Sequence, residues 1–106
     1  MMSEEEIIEG IRLPGRFDVE VESVEQAQRL VRKAIPEAVE LPPGISGSQY
    51  PSPSAGTEAW HQQHPAEPSV GNNRPHVKYA DWRRGKKGRG GSWGHVFFPP
   101  TPEVGG

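Results

Sequence analysis

His76, Lys78 and His95 fall within one short stretch of the chain, and Arg83, Arg84, Lys86, Lys87 and Arg89 lie between the two histidines. These residue types suit cleavage of a phosphodiester without a metal ion. A base must take the proton of a ribose 2′-OH, and an acid must protonate the leaving oxygen. Fixed positive charge must meet the negative charge that builds on phosphorus. Histidine is the side chain whose ordinary pKa serves both proton roles near neutrality. His76 and His95 are therefore candidate acid and base, with Lys78 as the cation nearest to them. Asp81 is positioned to orient a histidine or to neutralise Arg83. The loop cations Arg83, Arg84, Lys86, Lys87 and Arg89 are candidates to meet phosphate, as is the hydroxyl of Ser92. Trp82 and Trp93, either as packing residues or as platforms for bases, complete the set.

Metal chemistry finds less support. His61 and His64 in "HQQH" have an i,i+3 spacing that Glu58 or Glu67 could extend, but neighbouring prolines oppose the helix this would need. The chain has no cysteine, which excludes thiolate zinc sites and disulfides. A two-metal nuclease needs clustered carboxylates, and the basic segment offers only Asp81. No P-loop or nucleophile-elbow motif is present. The expectation is a site with no cofactor and no metal.

The elements that must hold these residues can be read around them. "HVKYADW" alternates, with Val77 and Tyr79 on one face and His76, Lys78 and Ala80 on the other. "GHVFFP" is a second strand, and "RRGKKGRGGS" between them has no side chains to bury, so the three pieces form a hairpin with a basic, glycine-rich loop. Gly90, Gly91 and Gly94 are read as turn residues. Further upstream, Phe17, Val19 and Val21 alternate with Asp18, Glu20 and Glu22, the pattern of a strand with one buried face. Ser23 and Gln26 form a capping box, and Ala27, Leu30, Val31, Ala34 and Ile35 make one apolar stripe of a helix that Pro36 ends. Glu25 and Arg29 have the spacing of a favourable helical ion pair. Residues 37–41 are expected to return as a short strand. Residues 1–15 are read as an arm or a short helix. Residues 42–75 are read as a long loop within a domain of residues 16–99, with Tyr50 and Trp60 as possible anchors, and residues 100–106 as a tail.

Gly and Pro supply 25 of 106 residues and hydrophobic types only 32%, so the core must be small. The fold class expected is α+β: one main helix packed on a twisted, mainly antiparallel sheet. The net charge of −2 conceals an asymmetry. Residues 1–40 hold ten acidic against five basic side chains, and residues 74–95 hold seven basic against one acidic. That is a basic working surface on an acidic scaffold, or two halves that attract each other within the fold. No apolar run approaches the roughly 20 residues of a membrane helix, and the acidic start "MMSEEEIIEG" is not a signal peptide.

The runs "HPAEPSVGNNRPHVKYADW" and "GKKGRGGSWGHVFF" resemble the C-terminal toxin domains of bacterial polymorphic toxins, over about residues 17–99. The helix "VEQAQRLVRKAIPEA" is similar to the segment before that core. The resemblance implies a compact α+β effector, often a nuclease, carried at the end of a larger polypeptide and neutralised by a cognate immunity protein. The matching positions are His64, Asn72, His76, Lys78, Asp81, Trp82, Lys86 and His95. Its implied setting is a secreted effector delivered to the target-cell cytoplasm; RNA as the substrate is the expectation from the two histidines and their neighbouring cations. The residues also allow a nucleic-acid-binding module without catalysis, a metal-dependent DNase, or an interaction protein that works through its acidic face.

Overall fold

The structure is a computed structural model that describes residues 2–41, 58–61 and 75–100, with the backbone alone at 39–41 and 58–61. Its elements in chain order are α1 (Glu4–Arg12), β1 (Gly15–Glu20), α2 (Val24–Ala34), β2 (Val39–Leu41), β3 (Glu58–His61), β4 (His76–Asp81) and β5 (Ser92–Phe97). The five strands form one sheet in the order β1-β5-β4-β3-β2. The class is α+β, as the sequence predicts. The sheet is mixed: β5–β4 and β4–β3 are antiparallel, whereas β1–β5 and β2–β3 are parallel.

The start of the chain is helical because Ser3 and Glu6 form a reciprocal capping box. The Ser3 hydroxyl accepts from Glu6 N, and the Glu6 carboxylate accepts from Ser3 N. Ile7 and Ile11, one turn apart, bury the inner side of α1 against the core. Helix α2 begins as the sequence predicts: the Ser23 hydroxyl accepts from Gln26 N at 3.1 Å. The Gln26 side chain returns to Glu22 N instead of the Ser23 N–H, one residue earlier than the standard box. Ala27, Leu30, Val31, Ala34 and Ile35 are all buried. Arg29 turns away from Glu25 and pairs with Glu4 of α1, holding that carboxyl down at about 2. Arg12 ties the helices at the other end by donating to the Ala34 and Lys33 carbonyls, a cation at a helix C-terminus.

Both helices cover one face of the sheet, where Val77, Tyr79 and Val96 join Ile7, Ile11, Leu30 and Val31 in the core. The edge strand β1 alternates between half-buried Phe17 and Val19 and exposed Asp18 and Glu20. The central β4 and β5 are buried on nearly every residue. The segment read as a loop over 42–75 contains the strand β3. Its pairing with β4 is a long-range contact that no local periodicity announces. Tyr50, His64, Glu67, Asn72 and residues 101–106 lie outside the described residues. Among the described residues no helix is long and apolar enough to cross a membrane.

Candidate active site

The hairpin forms as its sequence dictates, and its register builds the site. His76 pairs with Phe97 and Lys78 with His95 in the β4–β5 ladder, and residues directly opposite share a face. The four side chains therefore gather on the face away from the helices. The rings of His76 and His95 meet edge to face with centroids 5.1 Å apart. Phe97 stacks on His95 at 5.7 Å and meets His76 at 5.4 Å.

The partner of His95 comes from an unexpected place. The parallel pairing of β1 with β5 sets Asp18 opposite His95. One oxygen of Asp18 accepts from the His95 main-chain N–H at 3.0 Å and lies 2.9 Å from its Nδ1. The other accepts from Arg16 Nε at 2.8 Å. Burial alone would raise the Asp18 pKa, but hydrogen bonds with His95 and Arg16 outweigh it and hold the carboxyl below its ordinary value. An ionised Asp18 can only accept, so Nδ1 of His95 carries the proton and Nε2 keeps its lone pair. Burial lowers the His95 pKa below its ordinary value; Asp18 opposes this, and the charges of Lys78 and Arg16 reinforce it. The result is a neutral imidazole near pH 7, oriented from behind by a carboxylate.

Asp81 does not take that role. Strand alternation turns it away from His95, and it binds Arg83 through the main-chain N, Nε and a terminal nitrogen at 2.9–3.0 Å. Arg83 also reaches Glu37, so its guanidinium is committed within the fold instead of being offered to a phosphate. Ser92 is buried and donates to the Arg12 carbonyl at the end of α1, which corrects its reading as a phosphate contact. Trp82 is buried too. Gly91 lies against its ring, where an added Cβ would come within 2.5 Å, so Trp82 packs the loop base and is not a platform for bases.

Arg84, Lys86, Lys87 and Arg89 are exposed on a well-built loop. Arg89 N and Gly91 N both donate to the Lys86 carbonyl, and Gly85, Gly88 and Gly90 take positive φ where the chain doubles back. Lys87 Nζ stands 3.9 Å from the ring centre of Trp93, and the Arg16 guanidinium 5.1 Å from it. Lys78 is half-buried, whereas His95 is 6% exposed and His76 has no exposed surface.

Gly94 is a strand residue, not a turn residue. A Cβ there would collide with the Phe17 carbonyl and come within 2.9 Å of the Tyr79 hydroxyl. The missing side chain lets Tyr79 cross β5 and donate to the Phe17 carbonyl at 2.8 Å, next to Asp18. Burial, with the Asp18 charge, pushes the Tyr79 pKa well up, so the phenol stays protonated as that donor.

Asp18 and Arg16 were not legible as site residues. In sequence they are the polar half of an alternating strand, and only the parallel pairing of β1 with β5 brings them to the histidine. Among the described residues no cluster of three or more His, Asp or Glu side chains forms a metal site, and the disfavoured pair His61 and His64 reaches beyond those residues. No family model, curated protein or solved structure matches the chain.

Proposed function

We propose that the chain is a metal-independent ribonuclease, the toxin domain of a polymorphic effector. The observation that carries this reading is the Arg16–Asp18–His95 relay, with Lys78 and the His76 ring beside the same imidazole. His95 is the general base: Asp18 fixes the tautomer, and Nε2 takes the 2′-OH proton. The 2′-oxygen attacks phosphorus, the bond to the 5′-oxygen breaks, and the product carries a 2′,3′-cyclic phosphate. Lys78 stabilises the charge that builds on the non-bridging oxygens. His76 is the second imidazole and supplies the proton to the leaving oxygen. Its burial makes opening of this sheet face a requirement of the reaction.

The exposed loop cations Arg84, Lys86, Lys87 and Arg89 draw the polyanion to the hairpin. A cognate immunity protein with an acidic surface covers the same hairpin, and the domain acts in the cytoplasm of a target cell. The test is product analysis with purified protein on total RNA in the presence of a chelator. Fragments ending in 2′,3′-cyclic phosphate support the mechanism. Cleavage only after magnesium is restored, or cleavage of DNA alone, overturns it in favour of a metal-dependent DNase. Binding without cleavage leaves a nucleic-acid-binding module.

A further inference from the structure

Trp93 precedes His95 by two positions on β5, on the same face and about 7 Å along the strand. Its ring is half-buried and is flanked by two cations of different origin, Arg16 from β1 and Lys87 from the loop. Arg16 also holds Asp18, which links the ring directly to the relay behind His95. Packing alone does not call for both a guanidinium and an ammonium against one indole ring. A subsite for one nucleotide does, because it must offer a π-surface to a base and positive charge to a phosphate.

We propose that Trp93, Arg16 and Lys87 form a nucleotide subsite next to the scissile phosphate, which makes the substrate a single-stranded polynucleotide. This rests on the ribonuclease reading for the position of the scissile bond. The incoming base displaces the exposed Lys87 ammonium from the ring, since stacking on an indole is the stronger of the two contacts. Lys87 then meets the flanking phosphate. A duplex keeps its bases paired and cannot place one on the ring, so the subsite selects unpaired strands.

The experiment measures binding of a dye-labelled, all-2′-deoxy hexanucleotide, which lacks the 2′-OH nucleophile, to wild type, Trp93→Ala, Trp93→Phe and Lys87→Gln. Trp93→Ala is expected to weaken binding about tenfold or more, Trp93→Phe less, and Lys87→Gln severalfold with a shallower salt dependence. Trp93→Phe and Lys87→Gln keep the test decisive if Trp93→Ala does not fold. Equal binding by all four proteins, or equal binding of the hexanucleotide and its duplex, overturns the subsite while leaving any cleavage of RNA intact. Tight, Trp93-dependent binding with no cleavage of the RNA counterpart keeps the subsite and overturns the ribonuclease reading.

Discussion

A carboxylate behind an imidazole fixes which nitrogen holds the proton, and it raises the proton affinity that burial lowers. Asp18 does both for His95. His95→Ala should therefore reduce cleavage about 10²- to 10⁴-fold while far-ultraviolet circular dichroism stays that of the wild type. His76→Ala should give a comparable loss if His76 is the acid. A loss confined to His95→Ala would make His76 only the inner wall of the site. Replacing the two carboxylates separates their roles. Asp18→Asn should lower kcat by on the order of a hundredfold or more, whereas Asp81→Asn should cost stability through Arg83 and leave kcat near wild type.

The pH dependence follows from the direction of each shift. His95 must be neutral to act as base, so kcat/KM should rise with pH through an inflection below 6.5. Asp18→Asn removes the group that favours the imidazolium and should move that inflection lower still. For stability, the folded state resists a proton on His95 that the unfolded chain accepts near 6.5, so stability falls as pH drops below that value. Asp18 has a depressed pKa, so its contribution is present above its ordinary value of 3.8 and is lost as pH falls through the lower, folded value. Both act in the same sense, and acid titration of unfolding checks them together.

At the scale of elements, the site depends on β1 lying flush against β5, and Gly94 permits it. Gly94→Ala is expected to cost about 3 kcal/mol in urea unfolding, because a methyl group must displace both the Phe17 carbonyl and the Tyr79 hydroxyl. It should also abolish the Asp18–His95 contact. Ser23→Ala, which removes one helix cap on the far side, should cost about 1 kcal/mol without changing that contact.

What could be read in advance divides along the same line. Local signals were legible: the β1 alternation, the Ser23 cap, the α2 stripe, and the hairpin with its basic loop. Ser3 and Glu6 have the spacing of the same kind of signal, and the structure resolves the arm-or-helix reading of residues 1–15 in favour of α1. Non-local pairings were not legible. Nothing near Asp18 in sequence announces a parallel partner 77 residues away, and nothing near residues 58–61 announces β4. The acid beside the hairpin in sequence, Asp81, was the natural partner for a histidine, but strand alternation gave it to Arg83 instead.

At the scale of the whole molecule, the charge asymmetry is partly consumed within the fold and partly left outside it. The Arg83–Glu37 pair joins the acidic first third to the basic hairpin. Arg84, Lys86, Lys87 and Arg89 remain exposed on the loop. Binding of single-stranded RNA should therefore weaken steeply with salt. Changing these four residues to Gln should reduce the slope of log K against log salt by about 0.7 for each phosphate deprived of its cation. A slope unchanged by all four substitutions would move the polyanion to another surface.

Induced expression of wild type beside His95→Ala in bacteria, with total RNA and genomic DNA analysed from both, tests whether the Asp18–His95 pair cleaves RNA. The expected result is growth arrest and fragmented RNA with wild type, with intact DNA, and neither effect with His95→Ala. Normal growth and intact RNA in both cultures, or RNA loss that His95→Ala leaves undiminished, would contradict it.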